Sequence, residues 1–218
     1  EDGIIQAIAS TEGPAGSALD ITFKPSEAFW LVIEEGKKPY EAERKAIAWD
    51  STLFKLEDNW SVEINPSVQP ERFPGQVEFP GYLEIASGKK ELISWEEWGL
   101  PYFTGYVDYK NSFKINEKDN ETKYFIDLGK VNNVAEVWLN NKIIGGKMWP
   151  PFAFELTGYL EEGENEVLIR VGNTMYNVMR YYYDKGTLDN EQFVTRNFPD
   201  PSEISSGLFG PVEIMVGQ

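Results

Sequence analysis

The feature that most constrains this chain is a run, Tyr106–Ile115, in which apolar and polar residues alternate except at Asn111. Val107, Tyr109, Phe113 and Ile115 fall on one side, and Asp108, Lys110, Ser112 and Lys114 on the other. A period of two belongs to an extended strand with one buried face, not to a helix. The signature recurs at Lys123–Leu128, Val134–Asn140, Glu166–Val171 and Val212–Val216. Upstream, Ala18–Phe23 and Ala28–Ile33 read as two strands around a Lys24-Pro25-Ser26 turn, and Asp58–Ile64 as a shorter one. Asn140-Asn141 suits a two-residue hairpin, because Asn tolerates positive φ. Gly163-Glu164-Asn165 marks a further turn, and the proline-rich stretch Pro66–Gly81 reads as a long loop. Only short helices are expected, at Pro39–Trp49 and within Tyr176–Asp184. Many short strands with few helices predict an all-β fold, an antiparallel β-sandwich or barrel.

The chain has 218 residues, enough for one sandwich with its own core. A break is expected near residue 50. Residues 1–51 read as N-terminal strands, either the tail of a preceding domain or a part packed on the sandwich. Residues 52–218 read as the main β domain. The chain begins at Glu1 without Met or a basic leader, so it reads as a mature product or an excised piece.

Composition removes several kinds of chemistry. The chain has no His and no Cys, so neither Ser-His-Asp nor Cys-His catalysis can be built, nor a His/Cys zinc site. The net charge of −16 disfavours nucleic acid and anionic membranes as partners, and no apolar run approaches the roughly 18 residues of a membrane span. A neutral ligand such as a sugar is compatible with that charge. Aromatic residues reach 14%, more than a core alone suggests, which points to flat rings used for contact.

Several segments, in order, carry a family resemblance. Leu92-Ile-Ser-Trp95, Tyr102-Phe-Thr-Gly105 and Val107–Phe113 are followed by Ile126–Val131, Ala135–Lys142, Trp149-Pro-Pro-Phe152, Leu156-Thr157, Leu160–Val171 and Ser206–Val212. Together they resemble the sugar-binding domain of family 2 glycoside hydrolases, and still more the C-terminal sandwich of family 106 α-L-rhamnosidase-type enzymes. Thr104 stands where Ser is usual, and Asn141 where the usual hairpin has Gly. The resemblance covers roughly residues 52 to 218, with a weaker likeness over Ala18–Glu35. It implies a galactose-binding-like jelly roll inside a larger, secreted bacterial polysaccharide-degrading protein, extracellular or periplasmic, whose catalytic carboxylates lie in a separate domain. The expected role is a non-catalytic carbohydrate-binding or accessory module, with a saccharide and the parent's catalytic domain as partners. The alternative is a purely structural sandwich that braces the catalytic domain. No cofactor is required. A structural calcium is conceivable for such modules, and the 36 acidic residues offer ample oxygen ligands, yet no Asp-x-Asp-x-Asp-Gly loop names a set.

A sugar site needs exposed rings with polar groups at their edges. Trp95, Trp98 and Tyr102, in a loop with Glu96 and Glu97, form either an aromatic platform or a plug for the sandwich end. Trp138 lies on the polar face of its strand, beside Glu136 and Asn140, and either stacks a ligand or packs against a covering element. The long irregular connection after Val171 carries Tyr176, Asn177, Arg180, Tyr181, Tyr182, Tyr183 and Asp184, and serves either ligand contact or docking on a catalytic domain. Trp149-Pro150-Pro151-Phe152 reads as a rigid structural lead-in to a strand.

Overall fold

The computed structural model describes residues 10–13, 16–19, 49–56, 60–66, 88–119, 121–177 and 205–217. Fourteen strands form among them. β1 (Ser10–Gly13) and β2 (Gly16–Leu19) make a separate two-stranded hairpin. β3 spans Trp49–Lys55, β4 Trp60–Pro66 and β5 Gly88–Lys90. β6 (Gly105–Ile115), β7 (Lys123–Asp127), β8 (Lys130–Asn132) and β9 (Val134–Leu139) follow. The last five are β10 (Lys142–Lys147), β11 (Ala153–Glu155), β12 (Gly163–Gly172), β13 (Gly207–Gly210) and β14 (Glu213–Gly217).

Two antiparallel sheets carry the fold. One has six strands in the order β10-β9-β12-β6-β4-β5, the other four in the order β11-β7-β14-β3. Each buries one face against the other, as the alternation requires. The six-stranded sheet contributes Val107, Tyr109, Ala135, Val137, Leu139, Val167, Ile169 and Val171 to the core, and the four-stranded sheet Tyr124, Ile126, Phe154 and Ile214. Phe54 of β3 meets Phe113 of β6 across the gap, ring centroids 5.9 Å apart. Each aliphatic side chain sealed in this layer stabilises the fold by about 1.5–3 kcal/mol. The chain is therefore an all-β antiparallel sandwich. Strand β3 starts at Trp49, where it pairs with Gly217, so the sandwich takes in the residues just before position 52.

Local chemistry explains several boundaries. Asn140 and Asn141 both hold positive φ, 51° and 63°, in the tight turn joining β9 to β10. Asn140 Oδ1 accepts from the Glu166 amide at 2.9 Å and its Nδ2 donates to Asn165 Oδ1 at 2.9 Å, which ties the turn to the start of β12. Gly163–Asn165 differs from its expected role as a turn. These residues already belong to β12, in register with Ile115, Lys114 and Phe113. The turn lies just upstream, closed by buried Asn165, which accepts from the Glu161 amide and donates back to the Glu161 carbonyl. The expected strand Ala28–Ile33, the helix before Trp49, most of Ala18–Phe23 and the loop after Pro66 lie outside the described residues.

Candidate functional site

One end of the sandwich is sealed by a polar knot. Residues 94–102 form consecutive tight turns, opened by a reciprocal pair: the Glu97 amide donates to Ser94 Oγ at 3.1 Å, and Ser94 Oγ donates to Glu97 Oε1 at 3.0 Å. Trp95 is fully buried, and its Nε1 donates to the Tyr109 hydroxyl at 2.6 Å. Burial pushes the Tyr109 phenol well above its ordinary range, against the opposing pull of the Trp95 hydrogen bond. Glu96 accepts from the Ser206 amide at 3.0 Å and from Asn177 Nδ2 at 3.3 Å. Asn173 Oδ1 accepts from the Gly105 amide, and its Nδ2 donates to the Phe103 carbonyl at 2.8 Å. Thr104 Oγ1 donates to the Thr174 carbonyl at 3.2 Å. Distant stretches around residues 95, 104, 175 and 206 are thereby stitched together.

This knot corrects part of the expected site. Trp95 cannot stack a ligand, because it is the plug of the sandwich end, packed edge-on against Phe103 with centroids 5.2 Å apart. Trp98 is half-buried: it packs on the core 5.9 Å from Tyr109 with its indole nitrogen sealed from solvent, and Lys90 Nζ lies 6.0 Å from its ring centroid. Asn177 is 4% exposed and spends its amide on Glu96, the Pro101 carbonyl and Ser206. Tyr102 and Tyr176 are half-buried, on the two segments the knot joins. Arg180, Tyr181, Tyr182, Tyr183 and Asp184 lie outside the described residues. Phe152 enters the core while Trp149 stays 40% exposed.

Trp138 stands elsewhere, on the outer face of the six-stranded sheet. Ala135, Val137 and Leu139 are fully buried beneath it, as alternation demands. Strand register brings rows of side chains together on this face. Glu136, Arg170, Asp108 and Glu63 form one row across β9, β12, β6 and β4. Trp138, Leu168, Lys110 and Ser61 form the next. Arg170 binds Asp108 through two parallel hydrogen bonds, Nε to Oδ1 at 2.7 Å and Nη2 to Oδ2 at 2.9 Å. Its guanidinium sits 4.3 Å from the Tyr106 ring centroid and 5.3 Å from that of Trp138. The Asp108 hydrogen bond holds the Arg170 pKa above its ordinary value. A groove of about 660 Å³ opens here, lined by Lys89, Lys110, Asn111, Ser112, Trp138, Asn141, Glu166, Val167, Leu168 and Arg170.

An aromatic ring fixed by a guanidinium, an apolar neighbour and a rim of amide, hydroxyl and charged groups is chemistry suited to a saccharide. The outward position of Trp138 on its strand was legible in the sequence. Arg170, Asp108, Tyr106, Lys89 and Lys110 were not singled out, because only strand register shows which positions of separate strands share a row. Among the described residues no three acidic side chains gather to hold a metal ion.

This architecture and face define an all-β antiparallel sandwich domain with an aromatic and polar outer surface. No known family profile matches the chain. It is 32% identical over 173 residues to a beta-glucuronidase-like protein of Formosa agariphila, a match covering 64% of this chain and 15% of that one. It is 24% identical over 135 residues to a beta-galactosidase of Clostridium acetobutylicum, covering 54% and 15% respectively. Among solved structures, a rhamnosidase from Novosphingobium sp. PP1Y superposes with a TM-score of 0.55 at 23% identity, over 83% of this chain and 16% of that one. That likeness shows the fold. The chain is thus similar to one part of much longer glycosidases, spanning about 15% of the length of these curated relatives.

Proposed function

We propose that this chain is a carbohydrate-contacting accessory domain of a glycoside hydrolase, a galactose-binding-like jelly roll exported with its parent and lacking the catalytic carboxylates. The observation that carries this reading is the outer-face groove, where half-buried Trp138 presents an aromatic surface bordered by hydrogen-bonding side chains. Its relatives support it, since named glycosidases match this chain over only a minor part of their length. The remainder of such a protein would supply the chemistry, and the sandwich would hold or orient the saccharide beside it. Ring burial supplies affinity in such a contact, and the polar rim selects orientation.

Labelled chain screened on a glycan array, followed by calorimetry on the strongest hit, tests the reading. Saccharide binding is expected, and Trp138→Ala is expected to abolish it while the far-ultraviolet dichroism stays unchanged. A chain that binds no glycan would instead be a purely structural brace.

A further inference from the structure

The row through Trp138 has two chemically different ends. Counted from the β10 edge it runs Ile143, Trp138, Leu168, Lys110, Ser61, Lys89, each residue in register with the next. Ile143, 58% exposed, begins an apolar half that continues through Trp138 and Leu168. The other half presents two ammonium groups on either side of a serine. At a strand spacing of about 4.8 Å, Trp138 and Lys110 are separated by about 10 Å across the sheet, and Lys89 lies about 10 Å further on. One groove touches Trp138, Leu168, Lys110 and Lys89 together, so a ligand resting on the ring reaches the cations only if it is longer than a single pyranose.

Arg170 and Lys110 are held very differently on this face. Arg170 gives two of its donors to Asp108, a carboxylate 6% exposed, and is fixed there. Lys110 meets Glu63 at 3.3 Å, but both side chains are more than half exposed, 51% and 57%. A pair that open to water is weak and exchanges partners readily. We infer that the groove accepts an oligosaccharide bearing an anionic group, with a sugar face on Trp138 and Leu168 and the anion between Lys110 and Lys89. The chain as a whole is acidic, with 36 carboxylates against 20 basic side chains, so recognition of an anion here depends on these two lysines and not on the long-range field.

This inference rests on the proposal that the outer face meets saccharide, and the test separates the two. The full chain is titrated calorimetrically at low and high ionic strength with three probes: trigalacturonate, a sulfated carrageenan oligosaccharide and uncharged cellotriose. At least one anionic probe is expected to bind about tenfold more tightly than cellotriose at low salt. High salt is expected to narrow the gap. Lys89→Ala/Lys110→Ala is expected to erase the gap. Which anionic probe wins identifies carboxylate or sulfate as the recognised group. Equal, Trp138-dependent binding of all three probes would overturn the anion inference and leave the saccharide reading standing. Absence of binding by every probe would overturn both.

Discussion

The guanidinium of Arg170 and the carboxylate of Asp108 face each other across β12 and β6 in a two-point pair, at 2.7 and 2.9 Å. The two residues are register partners, so the backbone ladder sets their approach before the side chains engage. The aromatic rings of Tyr106 and Trp138 flank the guanidinium and limit its alternatives.

Arg170→Ala leaves the Asp108 carboxylate with little solvent and no cation. Because the arginine side chain is 35% exposed, the loss is discounted to about 1–3 kcal/mol. Arg170→Lys should recover only a fraction, since an ammonium cannot reproduce the two parallel bonds. Urea denaturation of the two variants checks this. Stability equal to that of the parent in both would mean that the pair contributes nothing to the fold.

Tyr109 should give the sandwich an alkaline limit. Its folded pKa is raised above the ordinary 10.0, chiefly by burial. Its contribution is therefore fully present below about pH 10, the unfolded value, and fades as pH climbs from there towards the folded value. Tyr109→Phe removes the titrating group but strands the Trp95 indole N–H, at a cost of about 1–3 kcal/mol near neutrality. Thermal melts between pH 7 and roughly 11 should show the two proteins converging as alkali rises. Parallel melting curves across that range would refute the assignment.

The period-two segments were readable because one buried face leaves a direct imprint on composition: Val107, Tyr109, Phe113 and Ile115 all proved to be core. The Asn140–Asn141 hairpin was readable because its backbone demand is local. Trp95 was ambiguous for the opposite reason. A Trp beside two glutamates looks like a surface ring, and only the hydroxyl of Tyr109, fourteen residues away, and the distant Gly207 show that the indole points inward. Glu96, next in the chain, accepts from the amide of Ser206 on the far side of the sequence. Contacts that join segments so widely separated leave no periodic trace.

Gly129 approaches the strand pair below it too closely for any side chain. With φ at +62°, a β-carbon there would lie 2.5 Å from the carbonyl carbon and oxygen of Gly210. Gly129→Ala should cost about 2–5 kcal/mol, combining left-handed strain with overpacking against rigid backbone. A chemical-denaturation midpoint indistinguishable from the parent's would show that the loop can relax.

Asn141→Gly should be neutral or slightly stabilising, by at most about 1 kcal/mol, because φ of +63° favours glycine in this two-residue turn. Asn140→Gly should destabilise instead, since the Asn140 side chain bonds both Glu166 and Asn165. Differential scanning calorimetry of the two variants separates these effects, and the same sign of change in both would contradict the division of labour within the turn.

The outer-face rows are printed on hydrogen-bonded strands, not suspended in loops. A surface of that kind is ordered before any visitor arrives, so an encounter forfeits little chain entropy and its rate reflects diffusion and charge more than rearrangement. A substitution at Ile143, Trp138, Leu168 or Lys110 is then expected to reach its immediate row neighbours while the scaffold beneath keeps its shape.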